Sequence, residues 1–365
     1  MESYYVGLDV HSRESAFVVQ RWDGTVVGKG RVPTNHAGFS DLCAQFALPP
    51  DTPVALETGT VSFFAARLLA AITLRPVVID AHEVRAKAHR PNQKSDSRDA
   101  FELCEGIRCG QYRAVVHVPR PEISALRETL SRRRHFVRQQ TTETNATKRL
   151  LRSLGLTPLT TKSLRTDAAW AALLTALPET LPERSHVERH RALWRCAGEQ
   201  VAALDGDLRS YAETYHDEVQ RLQTIPGVGP IVSLTTLAVF SSVDRFPSAK
   251  HVASYAGLVP STHQSGDRDR HGHITKRGSR ELRAMLCEAA HHARRADHPL
   301  NPYFATLCAR RGYKLATVAV AHRLCRIAFA MLRHRTNFDP RRLGLQEGPF
   351  TTTTTRRYRR SPKRP

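Results

Sequence analysis

The hydrophobic and polar positions of the first third of the chain predict a mixed sheet flanked by helices. Short apolar runs alternate with polar turns over residues 4–32, and Asp23-Gly24 between two of them is a strong hairpin signal. A helix is predicted over 36–48. The segments VALETG and RPVVIDA are typical of strands, and FFAARLLAAIT between them has helical periodicity. The resulting order, β-β-β-α-β-α-β, is the layout of an RNase H-like fold.

Long helices are predicted for the middle of the chain. Residues 122–152 contain neither Gly nor Pro, and apolar residues recur every three or four positions over 183–223. With a Pro- and Thr-containing link at 157–163, the two segments predict either an antiparallel helical hairpin or a dimerising coiled coil. Packing within one subunit and contact between subunits are equally compatible with this pattern.

The last part of the chain is predicted to form a compact, mainly helical domain over 224–335. It contains a Gly- and charge-rich loop at 265–278. The tail, TTTTTRRYRRSPKRP, has no core-forming residues, so we expect it to be disordered. The pattern thus divides the chain into a sheet domain, a helical linker or coiled coil, a mainly helical domain and a basic tail, at 1–115, 116–223, 224–340 and 341–365.

The charge of the chain indicates a polyanionic partner. Lys and Arg outnumber Asp and Glu by 55 to 34, which gives a formal net charge of +21. Neutralisation of phosphates by such side chains provides most of the nonspecific affinity for nucleic acid. No run approaches the roughly 18 apolar residues that span a bilayer, and the first residues do not have the pattern of a secretory signal. Seven scattered cysteines without a CxxC pair argue against a disulfide framework or a zinc site, so we expect a cytoplasmic protein.

Four carboxylates carry the candidate chemistry: Asp9, Glu57, Asp96 and Asp99. Asp9 follows the apolar VGL of the first strand, and Glu57 ends a second strand that we expect alongside the first. Asp96 and Asp99 are three residues apart at a helix start, so they share one face. Phosphoryl transfer by two metal ions needs divalent ions about 4 Å apart held by acidic oxygens, and Mg²⁺ prefers such ligands. Each acid alone would be a helix cap or a surface residue, but their order predicts a site for two Mg²⁺ ions that cuts nucleic acid.

Basic and glycine residues add candidate nucleic-acid contacts. The side chains that flank the acids and suit phosphate contacts are His11, Ser12, Lys94 and Arg98. The hexapeptide IPGVGP at 225–230 resembles the hairpin of a helix-hairpin-helix motif, in which two glycines expose backbone N–H groups to a DNA phosphate. The predicted nucleic-acid-binding residues are Lys94, Arg98, Arg132, Arg133, Arg134, Gly227, Gly229, Arg268, Lys276 and Arg277.

A hydroxyl nucleophile is a further candidate in the carboxy-terminal half. Ser265 precedes a run of basic residues that begins at Arg268. A serine attacks a phosphodiester only when it is activated and when cations stabilise the charge that develops. No His–Asp pair at triad spacing accompanies Ser265, so chemistry alone favours an ordinary loop role for it. Ser261 and Tyr255 are rival hydroxyls, and the apolar segment SYAGL predicts a core position for Tyr255.

The two blocks together resemble a known family. GLDV with Asp9, ALETG with Glu57, and KSDSRDA with its two acids match the DEDD pattern of the bacterial insertion-sequence transposases numbered 110, a family that includes the Piv-type DNA invertases. IPGVGP followed by SYAGLVP, SG and ITKRGSRELR resembles the carboxy-terminal transposase domain of the same family. The resemblance covers about residues 4–335 and leaves out the tail.

The resemblance implies a RuvC-like nuclease domain, a helical linker and a serine-bearing transposase domain. It also implies that DNA is cleaved and rejoined through a covalent phosphoserine, at a composite site in a dimer or tetramer, under the guidance of a structured noncoding bridge RNA. Asp9, Glu57, Asp96 and Asp99 become metal ligands, and Ser265 becomes the nucleophile. The family commonly has Ser-Ser-Gly here, whereas this chain has Gln264-Ser265-Gly266, so Ser265 is the best aligned hydroxyl and Ser261 the runner-up.

Two other functions are compatible with the same residues. One is a RuvC-like, structure-specific nuclease that uses water as its nucleophile and only hydrolyses. The other is a basic protein that binds RNA or DNA without catalysis and whose acids are structural.

Overall fold

The chain divides into two units with cores of their own, residues 1–120 and 121–365. The structure is a computed structural model that describes residues 3–87, 95–161, 163–265 and 268–343. For 262–265, 268–271 and 343 it describes the backbone alone. The first unit is a mixed α/β domain, and the second is mostly helical.

The first unit is built on a five-stranded sheet. Its elements are β1 (Tyr4–Val10), β2 (Glu14–Arg21), β3 (Val26–Pro33), α1 (His36–Gln45), β4 (Pro53–Glu57), α2 (Ser62–Ala71), β5 (Arg75–Ile79), α3 (Ala81–Lys87) and α4 (Asp96–Arg108). The strand order in the sheet is β3-β2-β1-β4-β5. Strands β1, β4 and β5 are parallel, while β2 is antiparallel to both β1 and β3. The order β-β-β-α-β-α-β predicted from the sequence is confirmed, with two further helices after it.

The predicted hairpin turn joins β2 to β3. Gly24 has φ +90°, a left-handed conformation that glycine adopts without strain. The Asp23 carboxylate accepts a hydrogen bond from the backbone N–H of Thr25 at 2.8 Å. This bond holds the pKa of Asp23 below its ordinary value. The Asp-Gly pair therefore forms the turn for the physical reasons that made it a hairpin signal in the sequence.

The two faces of the sheet are covered by different helices. On one face, Val6 and Leu8 of β1 are fully buried in a core that includes Phe39 of α1 and Leu69 of α2. The other face carries small residues, and α4 packs on it through Ala100 and other buried residues. Alternate residues of a strand point to opposite faces, so Gly7 and Asp9 lie on the α4 side.

Gly7 sets how closely α4 approaches β1. A Cβ atom at this position would lie 2.0 Å from the carbonyl oxygen of Ala100 and 2.4 Å from the backbone nitrogen of Cys104. Both atoms belong to the backbone of α4, so no side-chain rotation could relieve the overlap. The absent side chain lets α4 lie directly on β1.

We expect Gly7→Ala to destabilise the protein by about 1–3 kcal/mol or more, because the added methyl group must push the α4 backbone away from the sheet. Gly59→Ala is the matched control, since a Cβ there meets no atom within 4 Å. Urea unfolding of both variants measures the effect. Equal stability of the two variants would contradict the close contact described for Gly7.

The second unit begins with two long helices. A 3-10 turn (Thr157–Thr160) and a short helix that the sequence patterns did not predict lie between them. The elements are α5 (Pro121–Ser153), α6 (Asp167–Ala176), α7 (Arg184–Thr214), α8 (His216–Gln223), α9 (Pro230–Phe240), α10 (Ala249–Tyr255), β6 (Pro260–Ser265), β7 (Arg268–Ile274), α11 (Arg280–Ala290), α12 (Asn301–Arg311) and α13 (Tyr313–His334).

Helices α5 and α7 pack against each other as an antiparallel pair within the chain. Arg133 of α5 bonds Asp205 of α7, and further along α5 the Glu143 carboxylate lies 2.7 Å from His190 Nδ1. The later residue of α5 pairs with the earlier residue of α7, so the two helices run antiparallel. Of the two alternatives, the helical hairpin is the one observed, and a dimerising coiled coil stays a prediction.

The carboxyl end of α9 is held by two arginines. The Arg127 guanidinium of α5 donates to the carbonyls of Ala238 and Val239, and Arg245 donates to those of Val239 and Phe240. Arg245 also lies over an aromatic ring, with its guanidinium carbon 4.4 Å from the ring centre of Tyr255. These cations satisfy carbonyls that have no partner inside a helix, and they face the negative end of the helix dipole.

One prediction for this unit is wrong for most of its range, although residues 275–278 do lie outside any strand or helix. Residues 265–278 were expected to form a loop, but β6 and β7 make an antiparallel pair in which Thr262 lies opposite His271. Charged and polar residues hid the signal, because strand prediction relies on apolar alternation. The ladder itself is made by backbone N–H and C=O groups, which every residue but proline provides in full.

One helix of the second unit is both long and apolar. Helix α13 has 22 residues, and its most apolar stretch of 18 residues has a mean hydropathy of 1.5, which meets the length and composition of a membrane span. Many of its apolar residues, Val320 and Phe329 among them, are buried in the core of the second unit. Such burial is typical of a core helix, so length and hydropathy alone are weak evidence for a span here.

Candidate active site

The candidate site forms where the parallel strands β1 and β4 end. Gly7 pairs with Ala55 and Leu8 with Leu56, so Asp9 and Glu57 are the residues that directly follow the last pair on each strand. Both acids lie on the face of the sheet that α4 covers, because they are two residues beyond Gly7 and Ala55. The sequence prediction that the two acidic strands are neighbours is confirmed.

The first turn of α4 brings Asp96 to this strand end. His11 Nε2 lies 3.2 Å from Asp9 Oδ2 and 3.5 Å from Asp96 Oδ1. The ligand atoms of these three residues all lie within 4.8 Å of one another. Asp99 occupies the same first turn and is half-buried. Strand β1 and helix α4 therefore bring together two acids that are far apart in the sequence.

The structure adds Arg31 of β3, which the sequence analysis missed. Its Nη2 atom donates to Asp96 Oδ2 at 2.7 Å, and its Nη1 atom lies 4.0 Å from Glu14 Oε2. The signal lies in the strand register. Asp9 is opposite Ala16, and Ala16 is opposite Arg31, so all three share one row across the sheet. A correct prediction of the β1–β2 and β2–β3 registers would have placed Arg31 in the row of Asp9.

The donor set at this strand end fits a divalent metal ion. Mg²⁺ holds its ligands at about 2.0–2.1 Å in an octahedron, so ligand atoms lie about 3–4 Å from one another. The spacing of the Asp9, His11 and Asp96 atoms is close to that requirement. Asp9 and Asp96 have 19% and 36% of their side chains exposed, which leaves room for water and substrate oxygens. The site residues can therefore hold such an ion after small shifts.

The charge of Glu57 acts on Tyr112, which packs against α4. Burial, followed by the negative charges of Glu102, Glu83 and Glu57, raises the pKa of Tyr112 to about 12. Its hydroxyl donates to the carbonyl of Glu102 at 3.0 Å. Tyr112 is thus a neutral hydrogen-bond donor at ordinary pH and does not provide a base for the site.

The predicted basic contacts have different surroundings. Lys94 lies outside the described residues, and Arg98 is half-buried in the first turn of α4. On α5, Arg132 pairs with Glu128 and Arg133 with Asp205. Burial raises the pKa of Glu281, and the charge of Arg134 opposes that rise. The three arginines of α5 thus interact with nearby acids of their own unit, and their contacts with nucleic acid stay a prediction.

The IPGVGP segment joins α8 to α9. Gly227 has φ +83°, and a Cβ there would lie 2.8 Å from His292 Cβ, so the turn requires glycine. Gly229 precedes the first residue of α9, and a Cβ there meets no atom within 4 Å. The turn between two helices matches the resemblance seen in the sequence.

A buried histidine stabilises this turn. His298 Nε2 donates to the carbonyl of Pro226 at 3.1 Å, and His298 Nδ1 accepts from the backbone N–H of Leu300 at 3.0 Å. Accepting at Nδ1 requires the neutral ring. Burial lowers the pKa of His298, and the bond to the Pro226 carbonyl opposes this only in part.

We expect His298 to make stability depend on pH. Above the unfolded pKa of about 6.5 the ring is neutral in both states, and its contribution is complete. Below that pH the unfolded chain binds a proton that the folded chain excludes, so the free energy of unfolding falls. His298→Gln lacks this titration, so its deficit of about 1–2 kcal/mol at pH 7.5 should shrink towards pH 5. Urea unfolding at several pH values measures both proteins, and a deficit that stays constant would contradict the assignment.

The hydroxyl candidates lie around the β6–β7 pair. Ser265 is the last residue of β6 and pairs with Arg268 of β7, so it belongs to a strand and not to a loop. Ser261 donates its Oγ proton to the carbonyl of His273 at 3.2 Å. Tyr255 packs its ring 5.3 Å from that of Phe246 at the edge of the core, as the sequence predicted.

Two glycines bring the SYAGL and TKRGS segments together. Gly257 has φ +66°, and a Cβ there would lie 2.3 Å from the Arg277 carbonyl oxygen. Gly278 has φ +107°, and a Cβ there would lie 1.8 Å from the carbonyl oxygen of Tyr255. This backbone contact fixes the strand that leads to Lys276 and Arg277, whose side chains are exposed. Their exposure is compatible with the predicted role in nucleic-acid binding.

Two family models match the chain. One, a DEDD-type model described as Transposase, matches residues 6–155. The other, described as Transposase IS116/IS110/IS902 family, matches residues 219–305. The chain belongs to this transposase family. The first match contains all four acidic residues, and the second contains the IPGVGP turn and Ser265. The family resemblance stated from the sequence is confirmed, and the protein is a transposase, an enzyme that cleaves and rejoins DNA.

Individual relatives of this transposase carry consistent names. The "Probable family 20 transposase" of Pseudomonas aeruginosa is 28% identical over 264 residues, which are 70% of this chain and 76% of that protein. The "Transposase for insertion sequence element IS1111A" of Coxiella burnetii is 28% identical over 38% of this chain and 39% of its own length. The "Pilin gene-inverting protein" of Moraxella lacunata is 35% identical over 33% of this chain and 38% of its own length.

Proposed function

We propose that this transposase breaks and rejoins DNA by metal-dependent phosphoryl transfer, with Asp9, Glu57, Asp96 and Asp99 as metal ligands and Ser265 as the nucleophile. The observation that carries the proposal is the convergence of Asp9 and Asp96 at the end of β1. Their ligand atoms come from a strand and a helix that Gly7 holds in contact. The sheet domain, residues 1–115 in our division, is a RuvC-like nuclease domain of the RNase H type in this proposal.

The acidic residues would hold one or two Mg²⁺ ions. Bound at this place, such ions polarise a phosphoryl oxygen and stabilise the charge that builds up during transfer. The chain's own residues orient the ligands. Gly7 admits α4, the first turn of α4 presents Asp96 and Asp99, and the pairing of β1 with β4 aligns Glu57 with Asp9. The exposed fraction of Asp96 leaves the site open to a DNA strand.

Ser265 would form the covalent intermediate. In this step a bond forms between Ser265 Oγ and phosphorus, and the bond from phosphorus to one sugar oxygen breaks. The serine proton passes to solvent or a neighbouring base, and the released sugar oxygen takes up a proton. Attack by the hydroxyl of a second DNA strand reverses the step and frees the serine. The phosphodiester energy is conserved, so rejoining needs no other energy source.

The partners in this proposal are DNA, a structured noncoding RNA and further copies of the chain. The net charge of +21 supports binding of polyanions, and a guide RNA would supply the sequence choice that base pairing provides. The proposal also includes a helical linker over 116–223 and a serine-bearing domain over 224–340. The protein would act in the cytoplasm as a dimer or tetramer. The predicted basic tail, 341–365, falls almost entirely outside the described residues.

We expect Asp9→Asn to abolish Mg²⁺ binding and to reduce DNA recombination by at least about 100-fold. Loss of a residue that only hydrogen-bonds a metal ligand reduces activity by about 10- to 100-fold, and loss of the ligand itself should reduce it more. Asp41→Asn is the matched control, because Asp41 is an exposed acid on α1, the helix that packs on the face of the sheet opposite α4. Isothermal titration calorimetry measures binding, and a plasmid carrying the element's ends measures recombination. Full activity of Asp9→Asn would refute the metal site. A wild-type protein that binds nucleic acid but does not recombine the plasmid would favour the non-catalytic alternative.

We expect Ser265→Ala to abolish recombination and the covalent protein–DNA adduct, whereas Ser261→Ala should retain both. The adduct is detected as a shifted band on a denaturing gel. Strand cleavage by Ser265→Ala with no adduct in the wild-type protein would favour the water-dependent nuclease.

The guide RNA is tested in the same recombination assay with a reporter plasmid that does not have the noncoding sequence flanking the gene. We expect this plasmid to fail to recombine.

A further inference from the structure

We propose that Arg31 is an exchangeable counter-ion of the acidic site. In this assignment its guanidinium pairs with Asp96 when no divalent ion is bound, and it gives up that carboxylate when an ion binds. The inference rests on the metal site proposed above and extends it to a residue of β3 that the DEDD pattern does not include.

The strand register explains why Arg31 reaches the site. Asp9, Ala16 and Arg31 lie in one row across three neighbouring strands and on one face of the sheet. Strands are about 4.8 Å apart, so the backbone of Arg31 is about 10 Å from that of Asp9. The residue between them carries only a methyl group, and an extended arginine side chain can cross above it. The guanidinium accordingly ends 2.7 Å from Asp96 Oδ2.

The same row explains why a counter-ion is needed. Asp9 and Asp96 hold their ligand atoms within 4.8 Å of each other, and Glu57 ends the strand next to Asp9. Like charges at this distance repel one another, more strongly when they are partly buried. The guanidinium of Arg31 carries a positive charge and therefore offsets this repulsion.

The contacts of Asp96 make the pairing competitive with metal binding. Its Oδ2 atom accepts from Arg31, and its Oδ1 atom lies 3.5 Å from His11 Nε2. An ion that takes either oxygen at about 2.1 Å must displace or reorient one of these neighbours. Arg31 can leave without losing another close ionic contact, because 59% of its side chain is exposed and its contact with Glu14 is long at 4.0 Å.

The experiment compares Arg31→Gln with Lys29→Gln and Arg31→Lys. Lys29 is an exposed cation two residues away on the same face of β3. Lys29→Gln is therefore the matched control, because it removes one positive charge, as Arg31→Gln does. Calorimetric titration with Mg²⁺ measures the dissociation constant of each full-length protein. Thermal unfolding with EDTA and with saturating Mg²⁺ provides a second readout that does not depend on activity.

We expect Arg31→Gln to bind Mg²⁺ about two- to fivefold more tightly than Lys29→Gln, the range set by a partly exposed ion pair. Arg31→Lys should stay close to the wild-type protein. In EDTA, Arg31→Gln should melt below Lys29→Gln, and saturating Mg²⁺ should close the gap, because tighter binding adds more stability. Equal or weaker binding by Arg31→Gln would overturn the proposal.

Asp9→Asn separates this failure from failure of the metal site. If the wild-type protein binds Mg²⁺ no better than Asp9→Asn, the metal site itself is wrong, and the role of Arg31 falls with it. If the wild-type protein binds and Asp9→Asn does not, while Arg31→Gln and Lys29→Gln bind alike, the metal site stands and only the exchange is refuted.

Discussion

The contact between the α4 backbone and Gly7 of β1 is the constraint on which the candidate site depends. Because a Cβ at Gly7 would overlap the α4 backbone at 2.0 Å, the helix can lie on the strand only where a glycine is present. That contact places the first turn of α4 at the carboxyl end of β1, where Asp9 stands. A single absent methyl group thus sets the distance between acids that are far apart along the chain.

Charge balance is the second constraint on the same region. The acids converge on one face of the sheet, and their mutual repulsion must be offset before the protein meets an ion. His11 and Arg31 surround Asp96 from two different strand ends, with the closer contact made by Arg31. Both side chains are more than half exposed, so they stabilise the acids without closing the site to a larger ligand.

In the second unit, backbone contacts and capping arginines add to a hydrophobic core built mainly from helices. Gly257 and Gly278 let two segments touch through their backbones, while Arg127 and Arg245 satisfy the last carbonyls of α9. The SYAGL and KRGS segments that carried the family resemblance are therefore, in large part, folding signals. These packing contacts position the backbone and do not by themselves activate the hydroxyl of Ser265.

The sequence by itself determined the element order of the sheet domain and the position of Asp96 and Asp99 on one helical turn, because local periodicity and turn chemistry act between residues close in the chain. Its motifs also indicated the family, which the family models confirm. Only the tertiary structure decided that α5 and α7 form a hairpin within the chain, that the segment carrying Ser265 is a strand pair, and that Arg31 joins the site. These features depend on strand register, helix contact and backbone pairing between residues distant in sequence, and no local pattern records them.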